Sequence, residues 1–100
     1  MFNRKRSRAI DDFAIELARE FANRCPPGNQ QDEPSQTAKI ARAVDDACNR
    51  AAAFRREQDL GMYGRAKLGT SFKMELKQIG YQDEFVNELT SLLLLTMSGK

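Results

Sequence analysis

Residues 8–24, RAIDDFAIELAREFANR, decide the fold class. Ile10, Phe13, Ala14, Leu17, Ala18 and Phe21 recur at steps of three and four, so they share one side of a 3.6-residue helix while the charged groups lie largely elsewhere around it. Such a helix needs a second layer over its apolar side. Pro26, Pro27 and Gly28 stop it, and the polar stretch from Asn29 to Ser35 reads as a loop whose two acids favour the start of a further helix.

Working outward, a second helix is expected from Ser35 or Gln36 to Leu60, with Ile40, Ala41, Val44, Ala47 or Cys48, Ala51 and Phe54 on one broad face. Its alanines, at 38, 41, 43, 47, 51, 52 and 53, favour helix and leave little bulk, so a neighbouring helix can approach closely. Gly61 and Gly64 flank Met62 and Tyr63 at a bend, and a third helix follows over Arg65–Ile79 with Leu68, Phe72, Leu76 and Ile79 as its stripe. Gly69 marks either a close backbone contact or a later start at Thr70 or Ser71. Gly80 is the stop, and Asp83 is an N-cap or first-turn acid for a fourth helix running to Met97. The predicted fold is therefore all-α. It is a small four-helix, bundle-like domain over residues 8–100, an antiparallel helical hairpin followed by two shorter helices, with a basic N-terminal arm at 1–7.

The bulk properties agree with one small domain. The chain has 100 residues, 41% of them hydrophobic and 30% charged, and a chain of this size buries roughly 65% of the surface its unfolded form exposes. Histidine is absent, which removes the commonest general base, the histidine-dependent triads and imidazole-ligated zinc. No catalytic signature stands in their place. The expectation is a non-enzymatic interaction or regulatory protein without cofactor or metal, which pairs with itself and engages a further protein partner through a basic face. The only continuous aliphatic run, Leu92 to Leu95, is far short of the roughly 20 apolar residues that span a bilayer. Asp11, Asp12 and Glu16 interrupt what would be the apolar core of a secretory signal. Two cysteines, Cys25 and Cys48, are too few and too far apart for a disulfide scaffold or a metal knuckle, so a reducing cytoplasm is the default.

The last helix carries the main functional expectation. Phe85, Val86, Leu89, Leu92 and Leu93 form an ordinary stripe, but Leu94 and Leu95 add apolar side chains beyond it, with Leu95 on the side of Glu84, Glu88 and Ser91. A helix apolar over most of its circumference is central or covered by a partner. Leu89, Leu92, Leu93, Leu94, Leu95 and Met97 are therefore the expected interface of a homodimer.

The alternative is nucleic-acid binding. The net charge of +2 is too balanced for a uniformly basic field, but Arg4, Lys5, Arg6 and Arg8 cluster near the start, and Arg65, Lys67, Lys73 and Lys77 follow one another in the third helix. Arg4, Lys5, Arg6, Arg8, Arg65 and Lys67 are the expected phosphate contacts, with Arg55 and Arg56 extending them if folding brings them near. Aromatic interleaving of the kind that binds single strands is missing. The segment from Phe72 to Leu89 resembles a helix-turn-helix pattern in Leu76, Ile79, Gly80, Val86 and Leu89. Its second helix, however, opens with Asp83 and Glu84 and continues to Glu88, which places carboxylates where phosphates would approach.

The remaining motifs have ordinary explanations. Asp11 with Asp12, Asp45 with Asp46, and Asp83 with Glu84 are adjacent carboxylates, which diverge by about 100° on a helix and make poor shared sites. Glu20 with Arg24 and Asp46 with Arg50 have the favourable acid-before-base spacing for pairs within a helix. Cys48 lies on an apolar face, whereas Cys25, beside Pro26, is the more accessible thiol. Tyr63 and Tyr81 are expected to pack their rings and expose their hydroxyls.

Overall fold

The computed structural model describes residues 4–28 and 34–98, with side chains from 5–28 and 38–98. Four helices account for nearly all of it: α1 (Arg4–Arg24), α2 (Pro34–Gln58), α3 (Met62–Ile79) and α4 (Asp83–Ser98). The chain is an all-α, bundle-like domain, as its periodicity predicts. Most of the loop expected at 29–35 lies outside the described residues, as do the first three residues of the expected arm.

The helix starts differ from expectation. Arg4 to Ser7, expected in a separate arm, belong to α1. α2 begins on Pro34, whose fixed φ suits a first helical turn. α3 begins at Met62 with Gly61 as its N-cap, so Gly64 lies inside the first turn. There a Cβ would sit 3.1 Å from Leu60 Cδ2 and 3.6 Å from Ile10 Cδ1. The glycine that reads as part of a bend is a close approach between α3, α1 and the connector.

Two helix ends share one device. After α2, Asp59 takes φ 53°, and the Leu60 amide reaches back to the Arg55 carbonyl at 3.0 Å while that of Asp59 reaches Arg56 at 3.3 Å. After α3, Gly80 takes φ 123°, and the amides of Gly80 and Tyr81 both meet the Leu76 carbonyl, at 3.1 and 3.2 Å. These are Schellman-type ends, which satisfy carbonyls the helix leaves open and turn the next side chain inward. Leu60 and Tyr81 are accordingly buried.

Cross-helix contacts fix the directions. Arg24 meets Asp46 and Phe13 stacks on Phe54, so α1 and α2 are antiparallel. Asp11 meets Lys67 and Ser71 while Arg19 meets Glu75, so α1 and α3 run parallel. A Cβ at Gly69 would lie 2.9 Å from Leu94 Cδ2, which sets α3 and α4 antiparallel along much of their length instead of in the steep crossing, about 90–120°, of a helix-turn-helix. α1 packs most extensively on α3 and less on α2 than any other principal pairing. The first two helices thus make an antiparallel pair, but the main seam joins α1 to α3. Ile10, Leu17, Leu68, Phe72, Leu76, Val86, Leu93 and Met97 are the largest fully buried side chains.

Candidate functional site

α4 supplies most of the candidate surface, and its inner and outer faces separate cleanly. Val86, Leu89, Leu93 and Met97 point into the core. Three of the six expected interface residues, Leu89, Leu93 and Met97, are therefore removed from the surface: they belong to the core between the helices, and the fold itself covers them. Leu94 is half-buried over Gly69. Leu92 and Leu95 remain, 47% and 67% exposed. Glu84, Glu88 and Ser91 are exposed on the same side. A shallow depression of about 390 Å³ adjoins Leu92, lined by Asn87, Glu88 and Ser91. The helix has no basic residue in its last turn.

α2 and α3 also carry exposed residues. α2 turns Ala43, Ala47 and Ala51 inward and leaves Ala38, Ala41, Asp45, Asn49 and Arg56 exposed. Ala41, expected on the apolar face, lies outside. Thr96 Oγ1 donates to the Leu92 carbonyl at 2.9 Å and lies near enough to Cys48 to favour its thiolate, which places the two residues at one level of the α2–α4 seam. α3 exposes Met62, Tyr63 and Met74, and a depression of about 400 Å³ there is lined by Tyr63, Ala66, Thr70 and Met74 with Asp11 and Lys67.

The expected phosphate contacts lie near the starts of α1 and α3, and two of them are engaged within the fold. The Arg6 guanidinium donates from Nη2 to the carbonyls of Gln58 and Asp59, the latter at 2.9 Å. It caps the negative end of α2. Lys67 lies 3.3 Å from Asp11 Oδ1, an oxygen that also accepts from Ser71 Oγ at 2.6 Å. Both cations serve the fold. Arg65 is half-buried, Lys5 and Arg8 are exposed, and the Arg4 side chain lies outside the described residues. Asp11, Asp12, Glu57 and Asp59 share this end of the molecule and dilute its charge.

The other titratable groups are also structural. The pairs expected within helices are exchanged between them: Arg24 Nη1 meets Asp46 Oδ2 at 2.6 Å, and Arg50 meets Glu20. The small alanines bring α1 and α2 close enough for the inter-helix partners to win, and Arg50 lies over the Phe13 ring, 5.6 Å from its centroid. Asp11 and Asp12 point apart, one to α3 and one to solvent. Among the described residues no group of three or more His, Cys, Asp or Glu could hold a metal ion, and no helix is long and apolar enough to cross a membrane.

Cys25 and Cys48 are free and buried, so the expectation of an accessible Cys25 fails: the turn after α1 folds the thiol under Tyr81. Burial pushes both thiols up, against the pull of Lys39 and Arg24 on Cys25 and of the Thr96 hydroxyl on Cys48. Neither is an activated nucleophile. The Tyr81 hydroxyl, expected at the surface, is buried and donates to the Cys25 carbonyl, and burial raises its pKa to about 12. No protein-family model, curated protein or solved structure matches the chain. The functional reading rests on the surfaces just described.

Proposed function

We propose that the chain is a non-enzymatic helical interaction protein that self-associates through the outer face of α4. One observation carries the reading: after the inner face of α4 has filled the core, Leu92 and Leu95 still stand 47% and 67% exposed on its outer face. Isolated surface leucines are common. These two lie on adjacent turns of one helix, three residues apart, and so form one apolar strip.

The size of the face sets the strength. Stable specific interfaces bury about 800 Å² per partner, more than two leucines provide, so a weak dimer with a Kd of the order of micromolar is expected. Sedimentation equilibrium over about 1–300 μM brackets that range. The parent should populate a dimer, and Leu92→Gln with Leu95→Gln should return it to monomer while leaving the helical circular dichroism unchanged. Rising salt should not disperse an apolar contact. A parent that stays monomeric throughout overturns the reading. Salt-sensitive retention of mixed duplex DNA or RNA would put the phosphate-binding alternative in its place.

A further inference from the structure

We infer that the second copy pairs with α4 in antiparallel orientation about a two-fold axis, so that the acidic first turns of each α4 lie against the arginine-bearing end of the other copy. The inference rests on the self-association reading and adds orientation, register and ion pairs to it.

Charge is distributed lengthwise along this face. α4 carries Asp83 and Glu84 in its first turn and Glu88 in its second, with no basic residue among its described positions. Its C-terminal end lies at the opposite pole of the bundle, where α2 ends in Arg55 and Arg56 and α3 begins just before Arg65. Arg56 is exposed. Arg55 is half-buried, and its Nε is buried without a hydrogen-bond partner. A parallel pair would set Glu84 and Glu88 against their own copies, and like charges in contact are repulsive. An antiparallel pair sets acid on base twice, because a two-fold interface repeats every contact.

The register follows from the leucines. If Leu92 packs opposite Leu95 of the second copy and the reverse, Glu84 falls eight residues before Leu92, about 12 Å along the axis at the helical rise. It then projects about 12 Å beyond Leu95 of the other copy, past the end of that α4 at Ser98. Arg56 occupies the matching level. Cys48 and Thr96 share one level of the parallel α2–α4 seam, and Arg56 lies eight residues beyond Cys48, again about 12 Å. Glu84 of one copy and Arg56 of the other thus meet within about one residue's rise.

Two measurements test this. Glu84→Arg should weaken the dimer about tenfold, since two exposed attractions become two repulsions, and adding Arg56→Glu to the same chain should restore the parental Kd. A spin label at Asn87→Cys, in a background with Cys25 and Cys48 replaced by Ala, reports orientation by double electron–electron resonance. Antiparallel pairing offsets the labelled positions by 13 residues, about 20 Å along the axis, whereas parallel pairing sets them at one level on helices about 10 Å apart. Long separation with charge rescue supports the inference. Short separation, or a dimer indifferent to both charge changes, overturns the antiparallel arrangement and leaves self-association standing. A monomeric parent removes both.

Discussion

Replacing Tyr81 by Phe deletes one hydroxyl and leaves the ring where it stands, 5.8 Å from Phe21 and 5.2 Å from Phe85 between centroids. The hydroxyl joins the turn after α3 to the Cys25 carbonyl at the end of α1. A net intramolecular hydrogen bond contributes about 1 kcal/mol, and a buried carbonyl left without its donor adds part of its desolvation penalty, so the expected cost near neutral pH is about 2 kcal/mol. For a domain whose whole stability is of the order of 5–10 kcal/mol, that is readily measured. Urea denaturation followed by circular dichroism at pH 7 should show a lower midpoint with an unchanged slope.

Alkaline pH separates this account from a mere packing defect. Tyr81 titrates at about 12 when folded and near 10 when unfolded. Between those values the unfolded chain has released the proton and the folded chain still holds it, so the parent loses stability as pH rises, by at most about 1.4 kcal/mol per pH unit. The stabilisation is complete below pH 10 and gone above 12. The Phe variant has no such proton. The gap between the two proteins should therefore hold steady from pH 7 to 9 and narrow by about 1 kcal/mol by pH 11, allowing for partial solvent screening at this edge of the fold. A gap constant through pH 11, or a variant as stable as the parent at pH 7, would show that the buried hydroxyl does not hold this turn to α1.

Two substitutions should stabilise the fold. Thr90 is buried and its Oγ1 has no hydrogen-bond partner. Thr90→Val keeps the shape, removes the stranded hydroxyl and should gain about 1 kcal/mol, and an unchanged or lower urea midpoint would show that the hydroxyl is solvated after all. Asp59 holds φ 53° in the conformation that closes α2, and Asp59→Gly should relieve about 1 kcal/mol of backbone strain. Thermal unfolding should then rise by about 4–8 °C, and a fall would mean that the unfolded chain's gain in freedom outweighs the relief.

The fold was legible because its helices are written in local periodicity. The stripe from Ile10 to Phe21, the stop at Gly80 and the acidic start at Asp83 each depend on residues within a turn or two. The surface was less legible because exposure is a long-range property. Nothing near Leu89, Leu93 or Met97 distinguishes them from Leu92 and Leu95 until α2 and α3 are in place. Arg6 looks like part of a phosphate-seeking arm, and only the arrival of α2's end, 52 residues later, makes it a cap. The exchange of partners among Glu20, Arg24, Asp46 and Arg50 has the same origin: spacing names a plausible partner, and packing supplies a nearer one. Gly64 reads as part of a bend until the start of α3 at Met62 places it inside a helix, against Leu60 and Ile10.

The parallel seam between α1 and α3 bears on how the chain reaches its native state. Because α1 makes its largest contact with an element that begins 38 residues after α1 ends, the pairing that completes its burial is non-local, and a loop of that length must close before it forms. Before α3 is present α1 has only the smaller of its principal pairings, with α2, to cover it. The residues through Ile79 must follow before Ile10 and Phe72 can share a core. The apolar face of α1 that meets α3 therefore stays uncovered until the later half of the chain is present.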